Sequence, residues 1–420
     1  MLRLMKHRAP DGGGFVQVDD ELCIGMGRLA IVDPDARNVS PYQYRGHTIT
    51  FNGEIYNYEE IKDTLRRQHN LTFETDTDTE VLLKAYIVWG PKCLNAFNGM
   101  FAFAIHDGKK TFIARDIAGE KPLYYAQQPF RFASEAKALD FQCNEFPPAH
   151  YGTYENGHLS ITRWWYPQRV AIDPDRYLEQ FEYLLADAVR IRIPRDTDVA
   201  LYYSGGIDST LISSFFPFQH KLVYKDGEYQ EEFLRMFPKI LWHLDYPISS
   251  FSPFGLWKLG EEAKRKHVKV VISGEGADEL FGGYVRYIPN EFNRVAAEKF
   301  PSYKGMFPHR DMMTDEFNGN MRHLLRMGDR MAAAHGLENR CPFLDRRIIE
   351  FAHSLPMELK IKGMETKVIL RQLLKKRVPE YMDMEKKGLY CSVNRWIGSK
   401  ETFDKNDYLK YQNDIWKQFS

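Results

Sequence analysis

A short apolar run that ends in a glycine loop and continues into a helical stripe is the feature that most constrains the fold. The run covers residues 199–203, the loop covers residues 204–209, and Leu211 and Ile212 begin the stripe. A strand, a glycine loop and a helix in this order open a parallel α/β unit. We therefore predict a parallel sheet covered by helices in this part of the chain.

The glycine loop has the composition of an anion-binding site. Backbone N–H groups and the positive end of the dipole at the start of a helix attract phosphate, and Ser204 and Ser209 add hydroxyl donors. No lysine follows Gly205 and Gly206, and the spacing is not GxGxxG, so this is neither a Walker A loop nor a dinucleotide fingerprint. A Gly-Gly pair alone indicates only a tight turn. In this setting the four residues predict a phosphate site.

A second loop of this kind follows residues 268–272, where Ser273 and Gly274 come directly after an apolar run. Ligands of open α/β sheets bind beyond the carboxyl ends of the strands, so both loops are expected to line one crevice. Each loop carries an aspartate, Asp208 or Asp278. An acidic group beside a triphosphate needs a cation, and Mg²⁺ prefers oxygen ligands. The alternative for each aspartate is a helix cap; for the two together we favour a Mg²⁺ site.

The first part of the chain has a different pattern, in which short β-like runs alternate with turn residues. These runs are residues 23–32, 47–52, 100–106, 111–115 and 131–134. A helical stripe, residues 81–86, follows Asp78 as its cap. The pattern is typical of an α+β domain with antiparallel sheets. Because 420 residues exceed the usual size of one core, we predict two domains, residues 1–165 and residues 166–420.

Charge and composition argue against several classes of function. The chain has 57 basic and 57 acidic residues, so its net charge does not indicate nucleic acid or an anionic membrane as a partner. No apolar run approaches bilayer length, and residues 1–8 lack the apolar centre of a signal peptide. The five cysteines contain no CxxC pair, which indicates reduced thiols. We expect a soluble cytoplasmic protein that binds neither nucleic acid nor membrane.

The motifs of the second part resemble those of the glutamine-dependent asparagine synthetases. The glycine loop is similar to the pyrophosphate loop of the N-type ATP pyrophosphatases, which split ATP between its α and β phosphates. Further blocks occur in the order of the family, at residues 273–284, 338–345, 364–371 and 386–388. The resemblance implies an α/β ATP-pyrophosphatase domain that converts aspartate, through β-aspartyl-AMP, into asparagine with release of AMP and pyrophosphate.

The same resemblance implies two catalytic residues. A cation is needed where charge builds on the α-phosphoryl group, and Lys367 occupies the matching position. A carboxylate is needed to take a proton from the attacking nitrogen, and Glu275 occupies that position. Without the surrounding motifs, these would be a solvated helix lysine and a loop carboxylate.

Two alternatives stay open. The related β-lactam synthetases share the architecture and also adenylate a carboxylate, although the Ser-Gly-Glu-Gly order around Glu275 favours asparagine as the product. A degenerate family member that binds but does not turn over its ligands is the other alternative. Retention of Asp208, Glu275, Asp278 and Lys367 counts against it.

The first domain resembles the class II glutamine amidotransferases, whose fold is an Ntn-type sandwich of antiparallel sheets. The matching blocks are residues 7–11, 27–33, 51–57 and 115–125. The resemblance implies that Arg28 binds the α-carboxylate of glutamine and that Glu54 and Asp78 bind its amino group. Asn52 and Gly53 would form the oxyanion hole, although this dipeptide is also a hairpin turn signal.

The nucleophile of that class is an amino-terminal cysteine whose own α-amine acts as base. The sequence begins Met1-Leu2, and Cys23 is interior and has no free amine. We therefore expect this chain to lack glutaminase activity and to use free ammonia, unless a segment that carries the cysteine precedes it. The expected substrates are ATP, aspartate and either glutamine or ammonia, and a homodimer is compatible with the sequence.

The segment between the two glycine loops is shorter than is usual for the family. It offers one place for the expected next strand, residues 221–225. The resemblance implies that Val223, in this strand, lies near the adenine of ATP.

Overall fold

The structure is a computed structural model that describes all residues except 19–21, 37–39, 249, 251, 289–316, 318, 382–404 and 418–420. One predicted motif block, residues 386–388, lies outside the described residues. Within the described ranges, no helix is long and apolar enough to cross a bilayer.

The first half of the chain is built from antiparallel sheets, as predicted. Its largest sheet has six strands in the order β11-β10-β6-β5-β4-β3, and smaller sheets have the orders β8-β7-β9 and β1-β2. The strands are β1 Gly13–Gln17, β2 Cys23–Gly27, β3 Tyr42–Tyr44, β4 His47–Ile55, β5 Gly99–His106, β6 Thr111–Arg115, β7 Tyr124–Gln127, β8 Phe130–Ala133, β9 Asn144–Glu145, β10 His150–Glu155 and β11 His158–Arg163. Helices α1 (Tyr58–His69) and α2 (Asp78–Trp89) pack their apolar residues against side chains of β4 and β5.

One alternative interpretation and one local prediction in this half are wrong. Asn52 and Gly53 lie inside β4, paired with β5, and do not form a hairpin turn. Gly53 has a φ of +147°, and a Cβ there would overlap the Met100 carbonyl, so glycine permits close strand contact. Thr77, not Asp78, is the N-cap of α2, because the Thr77 side chain accepts a hydrogen bond from the Glu80 N–H.

The second half contains the predicted parallel sheet, with helices packed around it. Its order is β13-β12-β14-β15, and each neighbouring pair is parallel. The strands of this half are β12 Val199–Tyr202, β13 His220–Leu222, β14 Val270–Ile272, β15 Glu338–Arg340, β16 Ile361–Lys362 and β17 Glu365–Thr366. The helices are α3 Tyr177–Arg192, α4 Ile207–Ser213, α5 Gln230–Leu244, α6 Ser252–Arg265, α7 Ala277–Phe281, α8 Asn320–Ala333, α9 Arg346–Ser354, α10 Val368–Arg377 and α11 Lys405–Trp416. The strand expected at residues 221–225 is observed at His220–Leu222, so Val223 comes directly after β13.

The two halves share an interface that is partly apolar and partly charged. A hydrophobic cluster continues from Ile31 and Ala149 of the first half to Phe181 and Leu201 of the second. The antiparallel sheet ends with β11, and the next helix, α3, begins at Tyr177. A boundary after residue 165 stays a prediction that is compatible with these bounds.

Candidate active site

The glycine loop folds back on itself at the carboxyl end of β12. Ser209 Oγ accepts a hydrogen bond from the Ser204 N–H at 3.2 Å, and Ser204 Oγ accepts one from the Gly206 N–H at 3.2 Å. Gly205 has a φ of +75°, a conformation that favours glycine. Gly206 is the N-cap of α4, so the N–H groups of the helix start lie beside the loop.

The second loop is in direct contact with the first, as the topology predicts. A Cβ on Gly274 would lie 3.0 Å from Asp208 Cβ. Ser273 is 5% exposed, and its backbone N–H donates to the Arg340 carbonyl at the end of β15. The loops after β12 and β14 therefore line one crevice at the edge of the parallel sheet.

Asp208, Asp278 and Lys367 meet in this crevice. Lys367 Nζ lies 2.7 and 2.6 Å from the two carboxylate oxygens of Asp208 and 2.8 Å from Asp278 Oδ1. Burial acts to lower the pKa of Lys367, but attraction to the two aspartates outweighs it, and the net pKa is raised. Three residues that are far apart in sequence thus form one charged cluster.

The backbone around Lys367 is adapted to this cluster. Lys367 precedes α10 with a φ of +55°, a left-handed conformation that costs free energy for a residue other than glycine. Gly283 lies against the cluster, and a Cβ there would overlap both Asp278 and Lys367. The ammonium group is therefore buried: the residue is 3% exposed, and it is not a solvated helix lysine.

Glu275 lies on the loop that joins β14 to α7, the helix that carries Asp278, and its side chain reaches β15. Glu275 Oε2 accepts hydrogen bonds from Asn339 Nδ2 at 3.2 Å and from the Cys341 thiol at 3.5 Å. A Cβ on Gly328 of α8 would lie 2.5 Å from Glu275 Oε1, so the carboxylate is enclosed on that side. Burial raises the pKa of Glu275 to about 7, a value suited to a base near neutral pH.

The donor set fits Mg²⁺ that is shared with a phosphate ligand. In the described part of the chain no group of three His, Cys, Asp or Glu side chains could hold a metal alone. Asp208 and Asp278 bind the same ammonium group, so their oxygens converge on one point. Mg²⁺ is commonly held by one or two carboxylates with phosphate oxygens and water. These two aspartates fit that arrangement.

Val223, predicted to contact ATP, has a side chain that is open to solvent. It is 51% exposed and follows β13, the neighbour of β12 in the sheet. The position is at the carboxyl end of the strand, on the same edge as the glycine loop. Contact with adenine stays a prediction.

The five predicted glutamine residues line one cavity of about 1080 Å³ in the first half. They are Arg28, Asn52, Gly53, Glu54 and Asp78. The cavity also reaches the second half, where residues of α8 and β15 form part of its wall. The sequence therefore predicted which of these side chains come together.

Intramolecular contacts use several of these polar groups. The Arg28 guanidinium donates to the carbonyls of Asp33 at 2.6 Å and Ala36 at 2.7 Å. Asn52 Nδ2 donates to Ser134 Oγ at 3.4 Å. Asp78 accepts a hydrogen bond from the Ile55 N–H at 2.9 Å.

Glu54 is paired with a residue of the second half that sequence reasoning did not identify. Arg340 Nη2 donates to Glu54 Oε2 at 3.0 Å, and Arg340 Nε donates to Glu338 Oε1 at 2.9 Å. Lys121 Nζ lies 3.2 Å from Glu338 Oε2. Burial raises the pKa of Glu54 to about 7 despite the attraction of Arg340. Burial and the neighbouring Glu54 raise the pKa of Asp78.

Strand β15 carries Glu338, Asn339 and Arg340, and its geometry explains how they reach the two candidate sites. Successive side chains of a strand point to opposite faces, so Glu338 and Arg340 contact the first half while Asn339 contacts Glu275. The signal in the sequence is the family block at residues 338–345, which assigns no role to its individual residues. One three-residue strand thus contacts both candidate sites.

The fold and the two sites define a protein in which a glutamine amidotransferase domain is joined to an ATP-dependent synthetase domain. The family model described as glutamine amidotransferase domain matches residues 1–149, and the one described as asparagine synthase matches residues 180–227 and 220–407. The chain belongs to the asparagine synthetase family and is an amide-forming ligase.

Relatives match over most of the chain. Asparagine synthetase [glutamine-hydrolyzing] 1 of Bacillus subtilis is 27% identical over 94% of this chain and 84% of the relative. Asparagine synthetase B of Escherichia coli is 27% identical over 90% and 75%. A putative asparagine synthetase of Methanocaldococcus jannaschii is 31% identical over 73% and 78%.

Proposed function

We propose that the chain forms asparagine from aspartate, ATP and ammonia, with β-aspartyl-AMP as the intermediate and AMP and pyrophosphate as the other products. The observation that carries the proposal is the convergence of Asp208, Asp278 and Lys367 at the carboxyl edge of the parallel sheet. Glu275, on the loop that leads into the helix carrying Asp278, adds a buried base. The site lies in the domain proposed to span residues 166–420.

In the first step an oxygen of the aspartate side chain attacks the α-phosphorus, and the bond to pyrophosphate breaks. The N–H groups of Gly205, Gly206 and Gly274 and the hydroxyls of Ser204, Ser209 and Ser273 would hold the phosphates. Lys367 would move from the aspartates to the α-phosphoryl oxygens and stabilise the charge that builds there. Asp208 and Asp278 would hold Mg²⁺, which supplies positive charge between the carboxylates and the phosphates.

In the second step ammonia attacks the acyl carbon, and the bond between this carbon and AMP breaks. The nitrogen must lose one proton to become an amide. The Glu275 carboxylate accepts that proton, and Asn339 and Cys341 fix the carboxylate by hydrogen bonds to Oε2. Glu275 therefore acts in the second step only.

The source of ammonia is proposed separately. The relatives are named as glutamine-hydrolysing, and one cavity of the domain proposed to span residues 1–165 contains Arg28, Asn52, Gly53, Glu54 and Asp78. These residues support glutamine binding. Hydrolysis of glutamine needs a nucleophile with a free amine beside it. The nitrogen source is therefore proposed as either glutamine or free ammonia.

The experiment is incubation of the full chain with ATP, Mg²⁺, aspartate and ammonium chloride, with pyrophosphate and asparagine as the measured products. We expect both in equal amounts. Pyrophosphate without asparagine would contradict the product and support another adenylating amide synthetase. Neither product would support a binding protein without turnover. Glutamine in place of ammonium tests the nitrogen source, because an equal rate would contradict dependence on free ammonia.

A further inference from the structure

An ion pair joins the beginning of the chain to helix α8, and none of the steps above uses it. Arg8 is the last residue of a 3₁₀ helix, Leu2–Arg8, in the domain proposed to span residues 1–165. Its Nη1 and Nη2 atoms each donate to one carboxylate oxygen of Asp329, both at 2.8 Å. A pair of two parallel hydrogen bonds between a guanidinium and a carboxylate fixes the orientation of both groups as well as their distance.

The Arg8–Asp329 pair is buried and is supported by the first domain. The side chains of Arg8 and Asp329 are 11% and 8% exposed. Arg8 Nη1 also donates to Glu135 Oε1 at 3.1 Å, and the same oxygen lies 3.0 Å from His7 Nε2. Burial acts to raise the pKa of Asp329, but attraction to Arg8 outweighs it, and the net pKa is lowered. The pair is therefore a charged contact that holds α8 to the first domain.

The residue that precedes Asp329 on α8 forms one wall of the pocket around Glu275. A Cβ on Gly328 would lie 2.5 Å from Glu275 Oε1 and 3.0 Å from Asn339 Nδ2. Both distances are shorter than ordinary contacts of a Cβ atom, so a glycine lets the backbone of α8 approach the carboxylate this closely. A displacement of α8 away from Glu275 would open this wall.

Adjacent residues of α8 thus contact two different sites. Arg8 and Asp329 line the cavity that contains the predicted glutamine residues, whereas Gly328 lies against Glu275. Rigid secondary elements transmit a constraint from one of their residues to the next. What holds Asp329 in place therefore also holds Gly328.

We propose that Arg8 is a positioning residue for amide formation: through Asp329 it holds Gly328 of α8 against Glu275. The proposal rests on the proposed function, since it concerns the base assigned to the second step. The first step is assigned instead to the cluster around Lys367, at the loops after β12 and β14. Loss of the Arg8–Asp329 pair should therefore slow the second step and spare the first.

A single-turnover experiment with Arg8→Met separates the two steps. The enzyme is in excess over ATP, Mg²⁺, aspartate and ammonium chloride are saturating, and pyrophosphate and asparagine are measured over time after rapid mixing. We expect asparagine to form roughly ten- to a hundredfold more slowly than in the wild-type chain, because a misplacement of about 1 Å can cost about 10²-fold. The rate of pyrophosphate formation should stay within twofold. Arg8→Lys keeps the charge and should restore part of the rate of asparagine formation.

Two further variants identify the cause of the slower step. Gly328→Ala leaves the ion pair in place but puts a methyl group against the Glu275 carboxylate. It should slow asparagine formation and spare pyrophosphate formation, and it carries the test if Arg8→Met does not fold. Lys84→Met is the matched control, because it removes a buried cation that pairs with Glu80 at 2.6 Å within the first domain. It should lower the free energy of unfolding and keep both rates.

Three other results would overturn the role of Arg8. Unchanged asparagine formation in Arg8→Met would show that Glu275 does not depend on the ion pair. Equal decreases in the rates of both steps would assign Arg8 to the maintenance of the fold alone. A decrease in Arg8→Met without one in Gly328→Ala would place its cause away from the wall beside Glu275. A wild-type chain that forms no asparagine from ammonium would instead refute the proposed function, and the positioning role with it.

Discussion

Two pairs of carboxylates in this molecule are held in opposite ways. Asp208 and Asp278 share the ammonium group of Lys367 within one domain. Glu54 of the other domain and Glu338 share the guanidinium group of Arg340 across the boundary. In the first pair the shared partner, Lys367, is a residue proposed for catalysis. In the second pair the partner is a residue for which the motifs gave no role.

The difference shows what a charged partner does in each place. A lysine on a flexible stem can exchange carboxylates for a phosphate when a ligand arrives. An arginine between Glu54 and Glu338 makes directional hydrogen bonds to both and fixes their positions. We therefore expect the Lys367 cluster to control turnover and the Arg340 cluster to control the association of the two domains.

Arg340→Met tests the role proposed for the partner of the second pair. We expect it to have the largest effect of all the variants, a loss of stability. The variant leaves Glu54 and Glu338 buried near each other without the cation between them. Removal of one partner of a buried ion pair typically costs about 3–5 kcal/mol. We expect a loss of this size in the free energy of unfolding, measured by chemical denaturation.

Arg131→Met is the matched control for that measurement. Arg131 pairs with Asp140 at 3.2 Å, and the side chain of Asp140 is 75% exposed. Exposed pairs contribute roughly 0–1 kcal/mol. Equal losses of unfolding free energy in the two variants would contradict this expectation, because the ion pairs of Arg340 would then contribute no more than an exposed surface pair.

Lys367→Met tests the role proposed for the partner of the first pair, Asp208 and Asp278. Loss of a positioned charge that stabilises the transition state typically lowers the rate about 10²–10³-fold. We expect this decrease in the rate of pyrophosphate release with aspartate and ATP. Stability should change less than in Arg340→Met, because Asp208 and Asp278 keep partial exposure, 21% of each side chain.

Lys375→Met, which removes an exposed lysine of α10, is the control for the loss of one positive charge. Its rate should equal that of the wild-type chain. A Lys367 variant that keeps its full rate would show that the cluster is structural, like the pair at Arg340.

The sequence predicted the first pair and missed the partner in the second for a physical reason. Asp208 and Asp278 follow strands of one parallel sheet, and topology alone places such ends at one edge. The pairing of Arg340 with Glu54 depends on how two domains dock, which no local pattern encodes. Side-chain alternation along β15 would have separated Glu338 and Arg340 from Asn339, but not named what each contacts.

Local errors have the same origin. Asn52-Gly53 has the composition of a hairpin turn, yet it lies within β4 because the neighbouring β5 needs a close approach at Gly53. The predicted N-cap of α2 was wrong by one residue, because Thr77 and Asp78 are both residue types that favour this position. The fold class and both sheet types could be predicted, whereas these details depended on tertiary contacts.

The pH dependence of the unfolding free energy tests how Glu54 of the second pair is held. The pKa of Glu54 is about 7 in the folded chain, above the ordinary value of 4.5. The folded state therefore binds more protons than the unfolded state between these values, and this contribution to stability falls as the pH rises. It is fully present below about pH 4.5 and lost through about pH 7, with a slope of up to about 1.4 kcal/mol per pH unit.

Glu54→Gln removes that titration, so the difference in unfolding free energy between wild type and variant should shrink or change sign as pH rises over this window. Denaturation curves at several pH values measure it. Glu59→Gln, which alters an exposed carboxylate of α1, should show no such trend. A constant difference for Glu54→Gln would mean that Arg340 keeps Glu54 ionised throughout, and the two carboxylate pairs would then be held alike.

Val223→Ala should have the smallest effect and extends the comparison to the adenine of ATP. Unlike the buried Lys367, Val223 is 51% exposed, so a ligand that covers it would bury apolar area. Loss of about two half-buried methylene equivalents, at about 0.8 kcal/mol each when fully buried, raises the KM for ATP roughly three- to fivefold. The kcat should not change, because the contact is the same in the ground and transition states. Val170→Ala, an exposed valine of the same domain, should leave the KM for ATP unaltered. An unaltered KM in Val223→Ala as well would place adenine elsewhere on the sheet edge and limit the ATP site to the loops that meet at Asp208.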